Sequence, residues 1–245
     1  MARRPIERLN LWWEALLSVA MPAVCEVCGR TLTDGERHAC LACLTSLPRT
    51  NFHLNAENNP IHHLVCDNRV IACRAAAMFH YYRNSPTTSL ILSAKYRERP
   101  AILSMLGRIY AAEIASSGFF AGIDRIVPVP IHWSRRIMRG YNQSEYLARG
   151  LSRVTGITVD TSLLRLPSRH STQTRRNAAA RAANVAGTFV ATSRAPLLNG
   201  TSPHILLVDD IVTTGSTIHD CMRALAEAIP DVRMSILSIG IAHPA

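Results

Sequence analysis

No run of 18 or more apolar residues occurs in this chain, so a membrane-crossing helix is not expected. Lysine is almost missing: Lys95 is the one lysine among 27 basic residues, and arginine carries the positive charge. Acids are scarcer still, 17 against those 27, which leaves a formal net charge of +10. That excess suits anionic partners, phosphorylated metabolites or nucleic acid, and equally suits a plain basic surface. No internal repeat is present. Residues 1–24 place Arg3 and Arg4 ahead of the apolar stretch Leu9–Ala23. Glu14 interrupts that stretch and cysteines follow at once, so a secretory signal is disfavoured against an amphipathic helix packing on the rest. A cytoplasmic location is expected. With 245 residues, 48% hydrophobic and 18% charged, the chain can bury a sizeable core in one or two domains.

The most informative segment is 205–217, Ile-Leu-Leu-Val-Asp-Asp-Ile-Val-Thr-Thr-Gly-Ser-Thr. An apolar run, Ile205–Val208, stops at two carboxylates, Asp209 and Asp210. A hydroxyl-rich loop follows: Thr213, Thr214, Gly215, Ser216 and Thr217. Ile218, Met222, Leu225, Ala226 and Ile229 then recur at helical spacing. The segment reads as a buried strand, a turn and a helix start. Such a turn aims backbone N–H groups and hydroxyls at one anion, and the helix dipole adds attraction. Two acids beside an anion cup make sense when the ligand also carries hydroxyls or a divalent cation. Ribose 5-phosphate fits, with phosphate in the loop and the 2′- and 3′-hydroxyls on the acids. The plain alternative is a strand–helix turn with a Ser/Thr cap, which needs one hydroxyl and not four.

Five of the seven cysteines precede residue 70. Four form two C-x2-C pairs, Cys25/Cys28 and Cys40/Cys43. Each pair can clasp one tetrahedral metal on a tight knuckle, and Gly29 suits that turn. Structural zinc is the favoured reading; two disulfides or free thiols are the alternatives, disulfides being disfavoured in a cytosolic setting. Cys73 and Cys221 read as core.

Along the chain, 1–50 reads as an N-terminal helix and a zinc-ribbon-like module. The Asn-rich stretch within 51–66 reads as a linker, and 67–245 as an α/β domain. Strands are expected within 69–83 and at Ile126–Val129, Val159–Leu164, Thr188–Ala191, Ile205–Asp209 and Met234–Ile241. Helices are expected at Ser89–Arg97 and Ile102–Ser117, split by Pro100, and over 144–154. Strands alternating with helices predict a parallel-centred sheet.

Segment 205–217 closely resembles the phosphoribosyl pyrophosphate (PRPP) motif of type I phosphoribosyltransferases. The resemblance implies ribose hydroxyls on Asp209 and Asp210, which become the catalytic acids. It implies a PRPP site made of Asp209, Asp210, Ile211, Val212, Thr213, Thr214, Gly215, Ser216 and Thr217. More of the chain resembles the ComF family of phosphoribosyltransferase-like proteins: Val127–His132, Arg139-Gly140-Tyr141-Asn142-Gln143-Ser144-Glu145, Leu164-Arg165, Gln173, Arg181, Gly187-Thr188-Phe189, Ala94-Lys95-Tyr96 and the four-cysteine module. That implies the type I fold, with Val127–His132 at the pyrophosphate loop and 165–184 as a closing lid. Pro128 and Pro130 remove two backbone donors from that loop, so side chains must supply donors. Lys95, His132, Arg139, Arg165, Gln173 and Arg181 are the candidate pyrophosphate and lid contacts. The family's leucine three residues after Gln173 is Arg176 here, so lid packing does not carry over. Asn142 and Gln143 read as helix caps in preference to base-reading groups.

Two functions follow from the resemblance. One is a magnesium-dependent phosphoribosyltransferase with structural zinc and an unidentified acceptor, in a family linked to DNA uptake and natural transformation. The other is a PRPP- or nucleotide-sensing or DNA-associated protein without turnover. The expected partners are PRPP or another ribose 5-phosphate ligand, with single-stranded DNA or a competence-machinery protein as further candidates.

Overall fold

The computed structural model describes residues 23–82, 85–96, 99–167, 189–192 and 202–242, without the side chains of 95 and 96. The expected N-terminal helix and most of the 165–184 lid lie outside these residues.

Five strands form one parallel sheet: β1 (Arg74–Tyr81), β2 (Arg125–Pro128), β3 (Thr158–Val159), β6 (His204–Val212) and β7 (Arg233–Ala242). Their spatial order is β1-β7-β6-β2-β3. Two short strands, β4 (Leu164–Arg165) and β5 (Val190–Ala191), pair antiparallel beside it. The stretch 159–164, expected to be one strand, is thus split between two sheets. The helices are α1 (Leu41–Ser46), α2 (Pro60–Val65), α3 (Pro86–Tyr96), α4 (Ala101–Ile114), α5 (Trp133–Arg139), α6 (Gln143–Thr155) and α7 (Ser216–Ala228).

Side chains alternate across a strand, and both faces of this sheet are covered. On β6, Leu206 and Val208 join a core with Leu103, Leu106 and Leu147 from α4 and α6. Ile205 and Leu207 join the opposite core with Ile61 and Val65 of α2 and Ile218 and Leu225 of α7. That double burial is why Ile205–Val208 is apolar without a break.

Helices α4 and α6 cross where each presents a glycine. A Cβ on Gly107 would lie 2.7 Å from the Leu147 carbonyl oxygen, and one on Gly150 would strike the Ser104 carbonyl. This close crossing fixes α6, whose first turn lines the site described below.

The polar stretch expected to be a linker carries a 3-10 turn (Phe52–Asn55) and α2. One of its asparagines, Asn59, is used internally, while Asn51, Asn55 and Asn58 are exposed. Asn59 caps α2 in a capping box and donates to the carbonyls of Asn55 (3.0 Å) and Ala75 (2.9 Å). Residues 48–50 run along the outer edge of β1, with His80 N donating to Pro48 O (2.9 Å) and Thr50 N to Met78 O (3.2 Å). The edge strand is thereby covered. The cysteine module is joined to the same core through Cys25, Cys40 and Leu47.

Candidate functional site

In an open parallel sheet, ligands sit outside the carboxyl ends of the strands, where successive connections run in opposite directions. Here that point lies between β2, which leads outward to β3, and β6, which leads the other way to β7. A cavity of about 760 Å³ opens there. Its walls include Asp209, Asp210, Ser216 and Thr217 on one side and Val129–His132, Arg135, Arg139 and Gln143 on the other.

Strand β6 runs on through both acids to Val212, so Ile211 and Val212 are strand residues and the turn proper is 213–215. Asp209 Oδ1 accepts from Ser144 Oγ (3.0 Å) and from the Asp210 amide (2.9 Å). Asp210 Oδ1 accepts from the Ile211 amide (2.8 Å). Thr213, Thr214, Ser216 and Thr217 are exposed. None of their hydroxyls caps α7: its N-cap is Gly215, which has φ 76°. Thr214 Oγ1 and Ser216 Oγ lie 3.0 Å apart. A small cup of about 20 Å³ is lined by Asp209, Thr213, Gly215, Ser216 and Thr217 among others. A Cβ on Gly215 would lie 2.5 Å from the Leu64 carbonyl oxygen, so helix α2 packs directly beneath the turn. His219 Nε2, 3.0 Å from Asp67 Oδ2, ties α7 to the segment after α2.

The opposite wall is held by Asn142, which accepts from Ser144 N (3.1 Å) and donates to Val129 O (3.0 Å). Asn142 is therefore the expected cap. Gln143 is not a cap: it is 2% exposed, lines the cavity, and its Nε2 has no hydrogen-bond partner. His132 caps α5, its Nδ1 accepting from Ser134 N (3.4 Å). Tyr141 Oη donates to the Ala94 carbonyl, which joins the Ala94-Lys95 and Gly140-Tyr141 motifs in space.

Of the residues expected at the site, the structure gathers Asp209, Asp210, Ile211, Ser216, Thr217, His132 and Arg139 around the large cavity, and Val212, Thr213 and Gly215 around the cup. Thr214 stands beside Ser216. Arg165 is exposed on β4 and is not among the lining residues, whereas its neighbours Leu166 and Pro167 are. The side chain of Lys95, and all of Gln173 and Arg181, lie outside the described residues. Sequence reading missed Asp220, one helical turn after Ser216 on the same face of α7, and it missed Ser144 as the partner of Asp209.

Helix α5 buries none of its residues. Trp133, Ile137 and Met138 are 50%, 74% and 72% exposed beside Arg135 and Arg136. Arg136 pairs with Glu145 at 3.4 Å.

At the other end of the molecule, the sulfurs of Cys25, Cys28, Cys40 and Cys43 all lie within 4.8 Å of one another. Cys28 Sγ and Cys40 Sγ are 3.9 Å apart, close to the roughly 3.8 Å separation that four Zn–S bonds of about 2.3 Å impose in a tetrahedron. All four are free thiols. Cys25 Sγ accepts from the amides of Val27 (3.4 Å) and Cys40 (3.3 Å), and Cys40 Sγ accepts from Cys43 N (3.5 Å). Burial raises the Cys25 thiol, but these amides outweigh it and hold it below its usual range. The Cys43 amide, against burial and with help from Arg30, holds Cys40 at about 6. Burial and the neighbouring sulfurs push Cys43 up. The Gly29 knuckle has φ 74°, as expected for a turn of this kind. Four closed sulfur positions can hold a metal such as zinc and leave no open site for chemistry. Burial, with Asp209 and Asp220 nearby, raises the Cys221 thiol, consistent with the core role expected of it.

No family model matches the chain. Among curated proteins, it is 29% identical over 221 residues to the DNA utilization protein YhgH of Escherichia coli (strain K12), spanning 88% of this chain and 90% of that one. It is 33% identical over 145 residues to YhgH of Salmonella typhi, 57% of this chain and 61% of that one. It is 31% identical over 105 residues to Competence protein F of Haemophilus influenzae, 42% of this chain and 44% of that one. Among solved structures, a glutamine PRPP amidotransferase from B. subtilis, complexed with ADP and GMP, aligns at TM-score 0.36 and 23% identity. That alignment covers 55% of this chain and a quarter (25%) of the amidotransferase. Among the described residues no helix is long and apolar enough to cross a membrane. The chain is a homologue of YhgH over most of its length and of Competence protein F over the matched part.

Proposed function

We propose that the cavity at the ends of β2 and β6 binds PRPP, and that the protein is a phosphoribosyltransferase-like member of its family acting in DNA utilization. The observation that carries this is the hydroxyls of Thr213, Ser216 and Thr217, which cap nothing and line a cup at Asp209, next to Asp210. An ordinary helix start would spend one of those hydroxyls on the cap. In this reading the loop and the α7 N-terminus hold the 5′-phosphate, and the two acids accept from the ribose hydroxyls. Asp220, on the same cavity wall, adds a third carboxylate. Carboxylates and phosphates together suit Mg²⁺, which would enter with the ligand's phosphates. The four cysteines hold one structural zinc.

Calorimetry with PRPP and magnesium tests the reading. Wild-type protein should bind, and Asp209→Asn with Asp210→Asn should weaken binding by at least about 100-fold, as expected for two hydrogen bonds to charged acceptors. Asparagine keeps an oxygen acceptor for Ser144 and the backbone amides, so the fold is preserved. Unchanged affinity removes the acids from the site. Exchange of labelled pyrophosphate into PRPP, with candidate acceptors, separates a transferase from a binding protein. Binding without exchange under any acceptor favours the sensor.

A second reading concerns nucleic acid and rests on α5. An exposed indole beside arginines suits single-stranded DNA, by base stacking and phosphate contact. Binding of a labelled oligothymidylate should fall roughly 20-fold between about 50 and 200 mM salt for about three neutralised phosphates. Trp133→Ala should weaken it at both salt concentrations. No binding at low salt removes this reading.

A further inference from the structure

We propose that Gln143 is a positioning residue whose side-chain amide donates to an oxygen of the ligand's pyrophosphate. This rests on the reading of the cavity as a PRPP site. Three observations meet at this residue. First, Pro130 leaves the turn after β2 without its backbone N–H donor, and the Val129 amide is already spent on Val208 O (2.9 Å), just where an anionic group needs donors. Second, Gln143 is 2% exposed, lines the cavity, and its Nε2 has no partner. Leaving a buried donor unmade is costly, and native structures seldom do so without a reason. Third, its neighbours fix its place. Asn142 bonds the Val129 carbonyl and Ser144 bonds Asp209, so Gln143 sits between the proline turn and the acids.

The surroundings select an anion. Gln143 is the first residue of α6, a helix of 13 residues whose N-terminal dipole favours negative charge. Arg135, Arg139 and His132 line the same wall. The one acid in the first turn, Glu145, is engaged by Arg136. A neutral amide beside the two guanidiniums adds direction without adding charge. The ribose end of the ligand lies toward Asp209 and Asp210, so the pyrophosphate end falls to Gln143.

Gln143→Met keeps the side chain's length and removes its hydrogen bonds; Gln143→Ala is the second variant should methionine disturb folding. Calorimetry of the full-length protein with magnesium would use PRPP, inorganic pyrophosphate and ribose 5-phosphate. The variant should lose roughly 10-fold in affinity for PRPP and for pyrophosphate, as for a charge-assisted hydrogen bond. Ribose 5-phosphate affinity should stay within about two-fold. Melting of the free protein should not fall with Gln143→Met, because the amide removed is an unsatisfied one. Equal losses for all three ligands, or no loss for any, in the variant that folds would overturn the assignment. Wild-type protein that binds ribose 5-phosphate but not pyrophosphate, and PRPP no more tightly, refutes Gln143 and spares the ribose phosphate site. Wild-type protein that binds none of the three refutes both.

Discussion

Gly215→Ala is expected to remove the proposed binding of PRPP and of ribose 5-phosphate and to lower the melting temperature well beyond what backbone strain alone explains. Gly215 has φ 76°, and an added Cβ would lie 2.5 Å from the Leu64 carbonyl oxygen. Left-handed backbone costs an alanine about 1–2 kcal/mol. The contact adds overpacking of about 1–3 kcal/mol, because its partner is backbone of α2 and cannot rotate away. Relief requires either α2 or the turn to move, and a moved turn no longer aims its N–H groups at the cup. Gly156 provides the control. It has φ 74° at the end of α6, and a Cβ there meets nothing within 4 Å. Gly156→Ala therefore carries the strain without the clash. Thermal melts of the two variants should differ by about 2–12 °C, taking about 2–4 °C per kcal/mol for a chain of this size. Calorimetry should show binding kept by Gly156→Ala and lost by Gly215→Ala. Equal melting losses and equal affinities would mean that α2 does not brace the turn.

Neither α2 nor its place under the turn is legible in the sequence. Asn55, Asn58 and Asn59 read as linker because most asparagines are solvated, yet Asn59 satisfies three elements at once inside the fold. The central strand is legible for the opposite reason. Burial on both faces makes Ile205–Val208 continuously apolar, and the acids mark where the strand leaves the core. The cysteine pairs are legible because a knuckle is local geometry. Helix α5 is missed: seven residues that bury nothing carry no apolar period. The α4–α6 crossing is missed too, since Gly107 and Gly150 matter only through a partner far away in the chain. Gln143 marks a limit of another kind. Asn142 and Gln143 are adjacent amides at one helix start, and only the fold decides that the first caps and the second faces the cavity.

Stripping the metal should cost the whole protein and not the module alone. A separate module would melt first and leave the sheet intact. The packing opposes that outcome. Cys25 and Cys40 are 2% and 1% exposed, and they share one core with Leu47, Met78, Leu103 and Tyr110. The strip 48–50 closes the edge of β1, and Arg49 lies 4.6 Å from the Phe79 ring centre and 3.0 Å from Glu113. Glu26, inside the first knuckle, pairs with Arg99. A structural zinc contributes on the order of 10 kcal/mol to a small folded module. If a third of that reaches the shared core, melting should fall by about 6–12 °C. Protein purified without chelators should carry one zinc per chain, and Cys28→Ser with Cys43→Ser should carry almost none. Hydrogen exchange after chelation should quicken at Thr50 and His80, whose amides bond Met78 O and Pro48 O across the seam between the strip and β1, before it quickens in β6. Zinc absent from the wild-type protein, or retained in the double variant, would refute the site. Loss of zinc with unchanged exchange along β1 would show that the module and the sheet fold separately despite their common core.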